Sequence, residues 1–172
     1  MALEHRISEL DTYLFAKGRH YEIYEKMGAH LAEEDGKAGT YFSVWAPNAR
    51  SVSVVGDFNN WDRTAHPMQP VQQSGIWDIF VPGVKAGDLY KFAVETSQGY
   101  TVLKADPYGN QSQLRPDNAS VVADIRYCDW TDQAWRKAHQ EKKTESPMAI
   151  YEVHPGSWKK DPSMPGEFYN FK

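Results

Sequence analysis

The sequence has one cysteine, Cys128, among its 172 residues. No disulfide can form within such a chain, which is typical of proteins from reducing compartments. No apolar run approaches the roughly 18 residues of a membrane-spanning helix. The N-terminus also lacks the uninterrupted apolar segment of a secretory signal. We therefore expect a cytoplasmic protein with no membrane partner.

The chain also lacks an excess of positive charge. Its net charge is -4 and its isoelectric point is about 5.8, so electrostatics give no reason to expect a nucleic-acid partner. Hydrophobic residues make up 41% and charged residues 24%, which is ordinary for a globular protein able to bury a core.

The common catalytic templates are missing as well. The sequence has no glycine-rich phosphate loop and no G-x-S-x-G elbow, and its six histidines show no metal-ligand spacing. Cys128 has no evident cationic neighbour that would activate its thiol. Aspartates are numerous, but they occupy turns, where the side chain usually bonds the local backbone. The sequence thus predicts no catalytic residue, no metal and no cofactor.

What the sequence does contain is a series of short alternating strands. Glycine, proline and asparagine turns separate the segments "TYFSVW", "SVSVVG", "GIWDIFVPG", "DLYKFAVE", "TVLKA" and "ASVVADI". This pattern predicts a mainly β fold, an immunoglobulin-like antiparallel β-sandwich of about seven strands with short flanking helices. In "DLYKFAVE" the alternation places Lys91 on the face opposite Tyr90 and Phe92.

Helical patterns flank the strands. Residues 6–16 place Ile7, Leu10 and Leu14 on one helical face, and a second helical turn is predicted within "YEIYEKMGAH". After the strands, Thr131 is a candidate N-cap for a polar helix. The segment "MAIYEVHPGSW" is strand-like, but no later element is present to bury its apolar side chains. We expect four segments: a helical lead-in (1–30), the sandwich (31–126), a connector helix (127–147) and the start of a further domain (148–172).

One aromatic residue needs its own explanation. Trp61 follows Asn59-Asn60, a pair that tolerates left-handed backbone, in the loop "GDFNNWD". Its ring, with Tyr100 at the tip of another loop and with Lys91, suits a ligand that has an apolar face and a hydroxyl-rich edge, such as a glucose ring. Alternatively, Trp61 folds back and closes the open end of the sandwich, because tryptophan is mostly buried in proteins.

The motifs resemble a known family. "VSVVGDFNNWD" is similar to the signature of family-48 carbohydrate-binding modules. "YEKMGAH", "GTYFSVWAPNA", "FVPGV", "LYKFAV", "KADPYG" and "AIYEVHPGSW" follow the order found in bacterial 1,4-α-glucan branching enzymes. This resemblance implies that "AIYEVH" is the first strand, a stub, of a catalytic (β/α)8 barrel. It also implies an α-glucan partner, and a catalytic barrel domain in the full-length protein whose later strands supply the active-site carboxylates.

The resemblance also implies binding residues. In the related glycogen-targeting module of AMP-activated kinases, carbohydrate contacts fall on positions that match Trp61, Lys91, Tyr100 and Asn118 of this sequence. Three alternatives remain open: a free-standing glycan-binding module, the N-terminal domain of a related debranching enzyme, and a purely structural immunoglobulin-like domain that binds no sugar.

Overall fold

The computed structural model describes residues 6–126, 130–140, 147, 149–164 and 166. The chain divides into two compact units, with the boundary between residues 128 and 129. Cys128 lies outside the described residues, as do the rest of 127–129 and residues 141–146 of the predicted connector. We describe each unit by itself.

The first unit is built from two antiparallel sheets. One sheet has the strand order β1-β2-β5-β4, and the other has the order β3-β6-β9-β8, with β7 also paired to β6. Their bounds are Gly28–Glu34 (β1), Lys37–Trp45 (β2), Ser51–Gly56 (β3), Gln69–Pro70 (β4), Ile76–Pro82 (β5), Leu89–Glu95 (β6), Thr101–Lys104 (β7), Gln111–Ser112 (β8) and Ser120–Val121 (β9).

The core lies between the two sheets and follows the alternation of the sequence. Strand β6 buries Tyr90 and Phe92, β3 buries Val52 and Val54, and β2 contributes Phe42 from the opposite sheet. The Phe42 and Tyr90 rings meet edge to face, with their centroids 5.0 Å apart. Because the inward side chains of both sheets form one apolar cluster, the predicted β-sandwich is confirmed.

The predicted helical turn over residues 21–30 is largely wrong. Only Ile23–Glu25 forms a short 3-10 turn, and β1 begins at Gly28, inside the segment that was predicted as a lead-in. Strand β1 pairs with β2 in a hairpin whose turn contains Asp35 and Gly36, both with positive φ. An Asp-Gly turn with this backbone is a strong hairpin signal.

Helix α1 spans Glu9–Ala16, and Ser8 caps its N-terminus in a capping box with Asp11. The predicted apolar face is only partly right, because Ile7 precedes the helix and Leu10 is 64% exposed. The buried face instead carries Asp11, whose carboxylate accepts hydrogen bonds from Lys26 (2.5 Å) and His20 (2.8 Å). Burial raises the pKa of this carboxyl, but the hydrogen bonds from Lys26, Ser8 and His20 outweigh that effect and hold the pKa below its usual range.

The second unit contains helix α2, Gln133–Gln140, and the four-residue helix α3, Pro155–Trp158. Helix α2 begins after Asp132, one residue later than the cap predicted at Thr131 implies. Residues 149–154, predicted as a barrel strand, form no strand here, and the described part of the unit offers no neighbouring strand to pair with. As expected for side chains without a covering element, Ile150, Tyr151 and Trp158 are exposed. No described helix of either unit is long and apolar enough to cross a membrane.

Candidate carbohydrate-binding site

The loop that follows β3 begins with a short 3-10 turn, Asp57–Asn59. Gly56 begins it because no side chain fits there: an added Cβ atom would lie 2.1 Å from the Leu89 carbonyl oxygen. Asn59 closes the loop, accepting from the Gly56 N–H (2.9 Å) and donating to the Val54 carbonyl (3.1 Å) and to His66 Nδ1 (2.8 Å). These contacts fix the position of the residues that follow.

Trp61 leaves this loop with a left-handed backbone. Asn60 and Trp61 have φ values of 53° and 61°, so the left-handed pair lies one residue later than the predicted Asn59-Asn60 pair. A bulky residue in this region is an outlier, and such strain is often found at functional sites. The indole is partly exposed, and its Nε1–H donates to Asp57 Oδ1 over 3.1 Å.

Phe58, and not Trp61, closes the sandwich at this loop. The Phe58 ring stacks on Phe42, with centroids 5.9 Å apart, and packs against the main apolar cluster. Trp61 is absent from both apolar clusters of the described residues. This arrangement favours the interpretation of Trp61 as a platform over the interpretation as a plug.

Lys91 and Asn118 are brought together by the sheet. Lys91 Nζ donates to Asn118 Oδ1 over 2.6 Å, although the two residues are 27 positions apart. Lys91 is on the outer face of β6 because its neighbours Tyr90 and Phe92 fill the core. The pairing of Tyr90 with Ser120 in β9 then places Asn118, two residues earlier, beside the lysine.

A cleft of about 430 Å³ adjoins this pair, lined by Asn118 and by the loop that precedes β9. Gln113 closes that loop, since its backbone N–H donates to the Ala119 carbonyl and its side-chain oxygen accepts from the Ala119 N–H. Leu114, at the loop's outer edge, is 88% exposed. An apolar side chain exposed to this extent was not predicted from the sequence.

A buried network of hydrogen bonds holds the start of β9, the strand that follows Asn118. The Tyr90 hydroxyl donates to Asp106 Oδ2 (2.5 Å), and the Asp106 N–H donates to Ser120 Oγ (2.9 Å). Burial raises the pKa of the Asp106 carboxyl, and hydrogen bonds from Tyr90 and from the Tyr108 N–H offset this only in part. Because this network ties β6 to the start of β9, it also fixes the position of Asn118.

Tyr100 lies at the other end of β6. It is 55% exposed and follows Gly99 in the β6–β7 hairpin, where its carbonyl accepts from the Thr96 N–H. The Trp61 N–H donates to the carbonyl of Gly56, and Gly56 is paired with Tyr90. Since Tyr100 is bonded to Thr96, the two contacts are six residue positions apart along the chain, at residues 90 and 96. At a strand rise of about 3.3 Å per residue, the two backbones are roughly 20 Å apart along the strand. The two aromatic residues are therefore attached near opposite ends of β6.

Comparison with known proteins identifies this segment. Residues 26–109 match the family described as carbohydrate-binding module 48 (Isoamylase N-terminal domain). These residues form a family-48 carbohydrate-binding module. The module covers β1 to β7, and therefore includes Trp61, Lys91 and Tyr100, whereas Asn118 lies nine residues beyond the matched range.

The whole chain is similar to 1,4-α-glucan branching enzymes, as the sequence motifs predicted. It is 51% identical over 165 residues to the enzyme of Protochlamydia amoebophila, an alignment that covers 95% of this chain and 23% of the relative. It is 49% identical over 168 residues to the enzyme of Butyrivibrio fibrisolvens, covering 96% and 26%. The chain thus spans about a quarter of the length of these curated relatives.

Solved structures with a similar fold include pullulanases. Ligand-free PulA from Klebsiella pneumoniae is 26% identical, with a TM-score of 0.51 and coverage of 74% of this chain and 12% of that one. The Klebsiella pneumoniae pullulanase complexed with maltotriose gives a TM-score of 0.50 at 26% identity, with the same coverage. Part of each of these pullulanases therefore has a fold similar to that of this chain.

Sequence reasoning missed two features of this region, Asp57 within the module and Leu114 beyond its matched range. Asp57 was assigned to local turn bonding, but it bonds the Trp61 indole and, over 3.4 Å, the N–H of Leu89 on a different strand. Leu114 was overlooked although the sequence carries a signal for it, since it is a lone leucine between polar residues in "QSQLRPDN".

Proposed function

We propose that this chain is the α-glucan-binding part of a 1,4-α-glucan branching enzyme. The observation that carries the proposal is the contact between Lys91 Nζ and Asn118 Oδ1, which joins two predicted sugar-binding residues over 2.6 Å. Their polar groups and the partly exposed Trp61 ring offer a glucan both hydrogen-bonding groups and an apolar surface.

The energetics of such a site are modest. Stacking a glucose ring on one face of an indole removes about 50–100 Å² of apolar surface from water, which stabilises the complex by roughly 1–3 kcal/mol. Ordering the sugar costs part of that energy. A single site therefore binds with a dissociation constant on the order of 0.1–10 mM. A branched polymer offsets this weakness, because it presents many chain segments at high effective concentration.

The branching reaction itself belongs, in this proposal, to a catalytic barrel domain in the full-length protein. The parent enzyme transfers α-1,4-glucan segments to form α-1,6 branches, and the module holds the polymer near that domain. The support is the identity of about 50% to enzymes named for this reaction, over nearly the whole chain. The residues from 148 onward are then the beginning of the barrel, whose first strand pairs only when its neighbouring strands are present.

A debranching parent is the second candidate function. It is supported by the shared fold with pullulanases at 26% identity. The branching assignment has the stronger support, because the identity to branching enzymes is about twice as high and extends over more of the chain. A free-standing module is disfavoured because the similarity continues well past the sandwich.

Electrophoresis of the 172-residue chain in native gels containing glycogen tests the proposal. We expect glycogen to retard the unsubstituted chain, and we expect Lys91→Ala and Asn118→Ala each to reduce the retardation severalfold. Lys37→Ala is the matched control, since it removes the same charge from an exposed position on the other sheet.

The outcomes separate binding from folding. Each variant is also examined by thermal unfolding, so that a loss of retardation at an unchanged Tm reports on the site alone. No retardation of the unsubstituted chain by glycogen, amylopectin or amylose would contradict the proposed function. Equal effects of Lys37→Ala and Lys91→Ala would show that binding depends on net charge and not on the predicted site.

A further inference from the structure

The polar edge of the Trp61 indole is already engaged within the protein. Its Nε1–H donates to Asp57 Oδ1 over 3.1 Å. The other carboxylate oxygen, Oδ2, accepts from the backbone N–H of Leu89 over 3.4 Å. Leu89 is the first residue of β6, the strand that carries Lys91 two positions later. The Asp57 carboxylate therefore connects the Trp61 indole to β6, the strand that carries Lys91.

This arrangement differs from that of an ordinary turn aspartate. Asp62, in the same loop, bonds the N–H (2.8 Å) and the hydroxyl (2.7 Å) of Thr64, two residues later. Such local bonding is what aspartate normally does in a turn. Asp57 instead bonds residues that are 4 and 32 positions away, one through a side chain and one through the backbone of another strand.

The backbone reinforces the same restraint. Trp61 has a left-handed φ of 61°, and its N–H donates to the Gly56 carbonyl over 3.0 Å. With both its backbone and its Nε1–H bonded, the indole has few orientations left. A side chain that is ordered before the ligand arrives loses less conformational entropy on binding. The flat faces of the ring, and not its N–H, are then the surfaces left to a sugar.

We propose that Asp57 is a positioning residue for glucan binding, holding the Trp61 indole in a fixed orientation relative to Lys91. This inference rests on the proposed function and deepens it, since it assigns a role to a residue that does not itself need to contact the sugar. Removing the carboxylate leaves the ring in place but lets it rotate, so the ligand has to order it on binding.

The test compares Asp57→Ala, Asp57→Asn and, as the matched control, Asp62→Ala in the full 172-residue chain. Both alanine variants remove one negative charge from the same loop, but only one removes the bond to the indole. Affinity is measured by titration with linear maltoheptaose. The ¹⁵N–¹H signal of the Trp61 indole, assigned by its disappearance in Trp61→Phe, reports the hydrogen bond directly.

We expect Asp57→Ala to weaken maltoheptaose binding roughly three- to tenfold, the range for one exposed hydrogen bond. The Trp61 indole signal should move towards the position of an unbonded indole, while the Tm changes little. Asp57→Asn retains an acceptor oxygen and should restore most of the affinity, and Asp62→Ala should bind like the unsubstituted chain.

Four results would overturn the inference. An indole signal that does not move in Asp57→Ala would show that the bond is absent in solution. Affinity that is unchanged in Asp57→Ala, or reduced equally in Asp62→Ala, would show that the bond has no role in binding. An unsubstituted chain that is retarded by glycogen but does not bind maltoheptaose would overturn this inference alone, whereas a chain that binds neither would contradict the proposed function as well.

Discussion

Replacing Trp61 by glycine separates the contribution of the ring from that of the backbone. An L-residue in the left-handed region costs about 1–2 kcal/mol, and glycine removes this cost. Against this gain, the substitution loses the exposed hydrogen bond to Asp57, about 0.5–1.5 kcal/mol, and adds about 0.5–1 kcal/mol of backbone entropy to the unfolded state. Since Trp61 lies outside both apolar clusters, the net change in unfolding free energy is within about 1 kcal/mol.

Alanine at the same position gives a different result. Trp61→Ala loses the ring but keeps the left-handed strain, so we expect it to be less stable than Trp61→Gly by about 1 kcal/mol. Both variants should lose retardation in glycogen gels, because both lack the platform. Asn60→Gly, which also relieves a left-handed residue, is the control and should keep both its stability and its binding.

Thermal unfolding followed by circular dichroism, together with the glycogen gel, distinguishes the platform interpretation of Trp61 from the plug interpretation. A ring buried as a plug predicts that both Trp61 variants lose about 3–5 kcal/mol, as for other large truncations in a core. That result, or a Trp61→Gly variant that still binds glycogen normally, would refute the assignment of Trp61 as an exposed platform.

Four further predictions concern the loop, the N-terminal helix and the activity. Gly56→Ala should destabilise the fold by roughly 2–3 kcal/mol in urea unfolding, because the new Cβ overlaps the Leu89 carbonyl. Asn59→Asp keeps one acceptor but loses the donated bonds, and should lower the unfolding free energy by about 1–3 kcal/mol. Asp11 has a lowered pKa when folded, so its contribution is present above about pH 4 and is lost as the pH falls further. Urea titrations between pH 7 and pH 2.5 should therefore show a shallower acid loss for Asp11→Asn. The chain alone should leave the iodine spectrum of amylose unchanged, because the resemblance assigns the catalytic carboxylates to later barrel strands.

The sequence predicted the parts of the fold that depend on strong alternation. Strands β3 and β6 were predicted because buried Val52, Val54, Tyr90 and Phe92 alternate with outward side chains. Strand β1 was missed, since it is an edge strand whose residues "GAHLAEE" are small or charged and show no clear period. Its Asp-Gly turn is a hairpin signal that the sequence carries, but no strand was predicted before that turn.

The sequence did not predict the contacts that join distant residues of the candidate site. The outward direction of Lys91 follows from its strand alone, but its contact with Asn118 depends on the register between β6 and β9. That register is set partly by the buried Asp106 network, which no local pattern reveals. Asp57 was missed for the opposite reason, because an aspartate at a turn already has a sufficient local explanation.

The spacing of the aromatic rings sets a requirement on the ligand. Trp61 and Tyr100 lie near opposite ends of β6, roughly 20 Å apart along the strand, with Lys91 nearer the Trp61 end. If both rings bind the same molecule, we expect that molecule to be a chain of several sugars. Each contact alone is weak, so affinity grows when one polymer engages both ends at once. Under the proposed function, we therefore expect this surface to bind long glucan chains more tightly than short ones, because only a long chain can contact both ends.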